Sequence, residues 1–92
     1  MNNLDLLWDV LRDRKLNPKK GSYSSSLFLD KKGAVNKIAE KIGEETTEFI
    51  LACKDDKNVV EECADLIFFI TAMLAEKNVS WIKVMDELKR RN

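Results

Sequence analysis

Ninety-two residues, with 16 Lys plus Arg set against 16 Asp plus Glu, give a chain of zero formal net charge in which 35% of positions are charged. This length predicts a single domain, 1–92, that buries only about 60% of its unfolded surface, and the charge balance supplies no field favouring nucleic acid or membrane. There is no histidine, which removes His-based triads, imidazole bases, His-containing zinc sites and the Glu-x-x-His di-iron bundle, and leaves acid–base work to carboxylates, Lys, Tyr or Cys.

Along the chain, Met1 to Asp5 shows no basic segment leading into an apolar one, so no signal peptide is expected. Leu4, Leu7, Trp8 and Leu11 fall at helical spacing and predict a first helix from Leu4 to about Lys15. Asn17-Pro18 ends it, because a residue before proline is pushed out of the helical region. Lys19 to Gly33 then reads as a connecting loop, with one short helical turn over Leu27 to Leu29. Its basic, hydroxyl-rich start is also suited to touching an anionic ligand.

Val35, Ile38, Ile42, Phe49 and Ala52/Cys53 predict a helix from Ala34 to about Lys54. Gly43 weakens its middle by roughly 1 kcal/mol relative to Ala, and a glycine there allows close approach by a backbone or ligand. A Lys-Asp-Asp-Lys-Asn turn follows, with Asn58 as the expected N-cap of a helix from Val59 to about Lys77. Ser80 is the expected cap of a last helix whose Trp81, Val84, Met85 and Leu88 share a face. No stretch alternates with period two, so the fold class is all-α. Cys53 and Cys63 fall in apolar helical surroundings and are expected to behave as small hydrophobes, not as a disulfide framework. The longest apolar run, Leu66 to Ala75, is too short to cross a bilayer. A soluble, cytoplasmic protein is expected.

The short turn makes the two long helices antiparallel neighbours. Leu66 to Ala75 is apolar on every side, whereas a surface helix keeps a polar face. The rest of so short a chain cannot cover it. A homodimer that completes a four-helix-type core is therefore expected, with flanking helices around the hairpin.

Folding about residue 56 places Glu48 level with Ala64 and Glu45 level with Ile67. At a rise of about 1.5 Å per residue, Glu45, Glu48, Glu62 and Asp65 occupy an axial band of roughly 7–8 Å. Within each helix the pair is spaced i, i+3 and shares a face. Glu-Glu-x-x-Glu by itself is common on solvated helix faces. Two such motifs facing each other across one hairpin, the second running into Leu-Ile-Phe-Phe-Ile, are not. Crowded carboxylates resist ionisation unless a counter-charge is present. The cation that suits carboxylate, water and phosphate oxygens is Mg²⁺, with Mn²⁺ as a substitute.

Glu44-Glu45-x-x-Glu48 followed by Glu62-x-x-Asp65 is similar to the signature of the all-α, MazG-like nucleoside triphosphate pyrophosphohydrolases. Within that superfamily, Gly21 to Leu27 (GSYSSSL), Lys37 to Glu48 (KIAEKIGEETTE), Ala52 to Lys54 and Glu61 to Ile70 (EECADLIFFI) resemble the phosphoribosyl-ATP pyrophosphohydrolases of histidine biosynthesis. The similarity runs from about Gly21 to Arg91. Phe68-Phe69 stands where the family often has Tyr-His, and Ser24 where Thr is common.

The resemblance implies Mg²⁺-dependent hydrolysis of the α–β phosphoanhydride of phosphoribosyl-ATP, giving phosphoribosyl-AMP and pyrophosphate. Glu45, Glu48, Glu62 and Asp65 are then the metal ligands. Glu44, beside them, becomes a water-orienting group alongside Glu45 and Glu48. Lys37, Lys41 and Lys54 surround the acidic face as candidates for the triphosphate. Lys20, Ser22 and Tyr23 are the expected readers of the second, 5′-phosphate. The rival readings are a house-cleaning hydrolase of free (d)NTPs and a non-enzymatic helical dimerisation module.

Overall fold

In the computed structural model, which describes residues 2–92, every regular element is helical: α1 (Asn3–Leu16), α2 (Tyr23–Phe28), α3 (Ala34–Asp55), α4 (Val59–Glu76) and α5 (Trp81–Arg91). α3 and α4 form the antiparallel hairpin, α1 lies along α4, and α2 bridges α1 and α3. The core is Leu11, Leu27, Ile38, Phe69, Ala72 and Ala75, one or more from each of α1 to α4. Leu7, Trp8, Phe28, Ile42, Phe68 and Met73 pack around it. Leu7, Trp8, Leu11, Ile38 and Ile42 are positions of the periodic apolar stripes, while Phe68, Phe69, Ala72, Met73 and Ala75 come from the run that is apolar on every side. The long-helix boundaries agree with expectation to within one or two residues.

The turns hold by different chemistry from that expected. Asn58 does precede α4, but at φ 60° and ψ 29°, and its side chain makes no capping bond. An N-cap oxygen reaches the first free N–H groups only from an extended backbone. Here the turn takes Asp56 and Asn58 through left-handed geometry, which Asn and Asp tolerate better than most residues. Ser80 is extended before α5, yet its hydroxyl makes no capping bond either. A Cβ at Gly43 would meet no atom within 4 Å, so nothing among the described residues requires a glycine there.

The short helix lies earlier than Leu27 to Leu29. α2 starts at Tyr23 because the Ser22 hydroxyl accepts from the Ser25 N–H at 3.2 Å. Ser25 is itself buried, accepting from the Lys19 N–H at 2.9 Å and donating to the Arg14 carbonyl at 3.3 Å. The serines of this segment therefore stitch it to α1.

Side chains of α1 close the C-terminal end of α4. Arg12 donates to the Ala75 carbonyl at 2.9 Å and Lys15 to the Glu76 carbonyl at 3.1 Å. Trp8 donates its indole N–H to Val79 O at 2.8 Å. Cations at a helix C-terminus satisfy otherwise unpaired carbonyls and oppose the negative end of the dipole. From α5, Trp81 reaches back to donate to the buried Thr71 hydroxyl at 3.1 Å. α4 is thus pinned at its far end and through its middle.

The hairpin keeps an uncovered apolar side. Ile50, Leu51 and Val60 are exposed, and Phe49, Val59, Val60, Cys63, Ala64 and Ile67 line an apolar cleft of about 450 Å³. Cys63 is half-buried, but Cys53 is exposed on the single chain, contrary to expectation. The buried position beside it is Ala52, and a one-residue step rotates a helical side chain by about 100°. No helix among the described residues is long and apolar enough to cross a membrane.

Candidate active site

Glu45 on α3 meets Glu62 and Asp65 on α4. Each offers one carboxylate oxygen, and the three oxygens lie within 4.8 Å of one another. Glu45 and Glu62 are half-buried and Asp65 is exposed, so the cluster opens outward from a partly desolvated floor. Glu61 and Glu62 occupy the first turn of α4, where the positive end of the helix dipole favours carboxylates. Desolvation by burial raises the Glu62 carboxyl above its ordinary value, with further upward pushes from Asp65, Glu45, Glu48 and Glu61 in that order.

Glu48 is the sequence candidate that does not join the trio. It lies one turn nearer the hairpin bend and shares with Glu62 a cleft of about 240 Å³ that also touches Asp55, Lys57 and Asn58. Its charge still reaches Glu62. Glu44 is exposed and accepts from Lys41 at 3.0 Å.

The lysines separate by environment. The Lys41 ammonium lies 3.0 Å from Glu44, 4.0 Å from Glu45 and 5.5 Å from the centre of the Phe69 ring. The hydrogen bond it donates to Glu44 is the main cause holding its pKa above the ordinary lysine value. Lys37 faces Glu40 at 3.9 Å instead of the trio. Lys54 and Lys20 are exposed. Ser22 is engaged as the α2 cap.

Sequence reasoning missed an aromatic group next to this site. The Tyr23 ring stacks on Phe68 with centroids 6.5 Å apart and planes at 29°, and meets Phe69 edge-on at 6.3 Å. Phe68 and Phe69 form an edge-to-face pair at 5.1 Å. The signal was present, since Phe68 and Phe69 follow Asp65 by one helical turn, but nothing in the sequence brings Tyr23 back onto α4.

The profile of the phosphoribosyl-ATP pyrophosphohydrolase family matches residues 4–92. The chain belongs to that family. A phosphoribosyl-ATP pyrophosphatase of Methanocella arvoryzae is 48% identical, over 96% of this chain and 94% of its own length. Another, of Listeria welshimeri, is 47% identical over 96% of this chain and 84% of its own. The histidine biosynthesis bifunctional protein HisIE of Prochlorococcus marinus is 44% identical over 98% of this chain, which accounts for 39% of that longer protein.

Proposed function

We propose that the Glu45–Glu62–Asp65 cluster is the catalytic centre at which the chain hydrolyses phosphoribosyl-ATP, and that it works with Mg²⁺, for which Mn²⁺ can substitute. The chain is a hydrolase of phosphoribosyl-ATP in histidine biosynthesis, as its family and its relatives' names state. A free-(d)NTP hydrolase and a non-enzymatic module are accordingly set aside. The observation that carries the assignment of the site is the convergence of three carboxylates from two helices.

The donors fit the ion. Oxygens bound to one Mg²⁺ at about 2.0–2.1 Å lie at most about 4.2 Å apart, so a trio spanning 4.8 Å needs only a small side-chain contraction. The ion supplies neutralisation of phosphate charge and a more acidic bound water. Glu48 extends the set from its flanking position by a change of rotamer. In the reaction, water oxygen bonds to the α-phosphorus and its proton passes to solvent, the bond from that phosphorus to the α–β bridging oxygen breaks, and pyrophosphate leaves with the bond's electron pair. Glu44 orients the water from beside the ligands. Lys41 is already placed against Glu45 and bears on the phosphates as a point charge, while Lys37 and Lys54 reach them from the rim. Lys20 and the Ser22 hydroxyl serve the second, 5′-phosphate.

Further elements of the reading are a homodimer, closed over the uncovered apolar side of the hairpin, and a cytoplasmic place of work. Two unpaired thiols suit a reducing compartment.

The test is pyrophosphate release from phosphoribosyl-ATP, with melting temperature read alongside. Chelation should abolish release. Mg²⁺ at about a hundredfold excess over its Kd should add about 2.7 kcal/mol to stability. Asp65→Asn should remove both the activity and the Mg²⁺-dependent rise in Tm, while Glu48→Gln should leave part of each. Wild-type turnover by Asp65→Asn would sink the assignment of the site.

A further inference from the structure

Resting on that reading of the acidic site, we propose that Tyr23, braced by Phe68 and Phe69, is the platform on which the substrate's purine base stacks. An aromatic ring in so small a protein is ordinarily covered. Tyr23 is 53% exposed, although it begins a helix whose placement is fixed by the buried Ser25 and by two hydrogen bonds to α1 and its C-terminal loop. Part of the ring rests on Phe68 and Phe69. The remainder faces solvent, held at a defined angle by the edge-to-face pair beneath it. That is the geometry of a stacking surface. Bases stack on such rings with little regard to sequence or edge pattern, because each has a π face.

Position relative to the carboxylates gives the ring its role. Lys41 precedes Glu45 by four residues on α3, and Phe69 follows Asp65 by four on α4. Because the helices are antiparallel, both steps lead in the same direction, away from the bend. The backbone positions of Lys41 and Phe69 therefore lie about one helical pitch, roughly 5.4 Å, beyond those of Glu45 and Asp65. The Lys41 ammonium lies 4.0 Å from Glu45 and 5.5 Å from the Phe69 ring centre. Carboxylates, then an ammonium, then aromatic rings follow one another along the hairpin. A nucleotide presents the matching series of metal-bound phosphoanhydride, α-phosphate and sugar, then base. Lys20, three residues before Tyr23, is exposed and so free to meet a second phosphoribosyl group.

The experiment compares Tyr23→Phe, Tyr23→Trp and Tyr23→Leu, using phosphoribosyl-ATP as substrate and inorganic tripolyphosphate as a base-free competitor. Stacking predicts that Phe and Trp keep KM within about twofold of wild type. Leu should raise KM about tenfold, with kcat and the inhibition constant of tripolyphosphate nearly unchanged. Upfield displacement of the purine H2 and H8 resonances on binding should appear with wild type and disappear with Leu. An unchanged KM and an undiminished displacement in Tyr23→Leu would overturn the platform, as would equal weakening of substrate and tripolyphosphate. Asp65→Asn keeps the two readings apart. If Asp65 is essential and Tyr23→Leu is silent, only the platform falls. If Asp65→Asn turns over normally, the acidic site falls, and the purine resonances still decide the platform.

Discussion

Replacing Thr71 with Val isolates one bond that fixes α4. Thr71 is fully buried, accepts from the Trp81 indole N–H at 3.1 Å and donates to the Ile67 carbonyl at 2.7 Å. Valine keeps the branched shape but has no acceptor. The Ile67 carbonyl retains its helical partner, so its loss is small. The indole N–H is left buried and unpaired, which costs about 1–3 kcal/mol. Taking the middle of that range, about 2 kcal/mol, and subtracting up to about 0.8 kcal/mol for the added methyl leaves an expected net loss of about 1–2 kcal/mol. For a chain of this length that lowers Tm by about 4–16 °C. Thermal melts at one fixed protein concentration measure it, and Trp81→Phe in the Thr71→Val background should cost less than the two single changes added together. The kcat for phosphoribosyl-ATP should stay near wild type at a temperature where both proteins are folded, because Thr71 lies six residues beyond Asp65. A Tm change below about 2 °C would refute the reasoning, since the indole would then have another partner.

Two more outcomes follow from charge and from the uncovered face. The raised Glu62 carboxyl makes the folded metal-free protein hold a proton more tightly than the unfolded chain does. Its contribution is fully present below the ordinary value of 4.5 and is lost as pH rises through the higher folded value. Without metal, Glu62→Gln should therefore gain Tm over wild type as pH climbs from about 4 towards neutrality, and the curves should converge in acid. An offset independent of pH would count against the crowding. Light scattering at micromolar concentration should give about twice the chain mass of 10.6 kDa, and Val60→Glu, at the rim of the apolar cleft, should shift it towards one chain. A wild-type monomer that unfolds cooperatively would rule out the dimer.

The long helices were legible because period and punctuation agreed. Leu11 and Ile38 lie on the predicted stripes, Phe69 and Ala72 in the run read as apolar on every side, and Pro18 and the Asp-Asp-Lys-Asn turn mark ends. The convergence of Glu45, Glu62 and Asp65 was legible for the same reason, since a short turn fixes the register of a hairpin. Glu48 fell outside the trio because axial level alone does not determine which oxygens meet across a helical interface. Tertiary partners were not legible. Nothing local announces that Arg12 and Lys15 close α4, or that Ser25 is buried under α1. The serine-rich segment looked like a solvated loop because composition reports polarity, whereas these hydroxyls are used one by one as caps and stitches.

Acidic side chains at the mouth of the core follow from what each half of α4 must do. Its C-terminal half is buried against α1, α2 and α3 and pinned by Arg12, Lys15 and Trp81, so the helix has little freedom to move as a body. Its N-terminal half carries Glu61 and Glu62 where the dipole favours negative charge, and Asp65 one turn further on. Ligands held on packed helices keep their spacing better than ligands on loops. The same rigidity prevents the carboxylates from simply relaxing apart, which adds to the desolvation that already makes Glu62 resist ionisation. On the proposed reading of the site, stability given up there is returned when a cation binds, since an ion that binds only the folded state stabilises it. A hairpin that held its carboxylates loosely would avoid the repulsion, and would lose with it the preformed geometry that the phosphoanhydride has to meet.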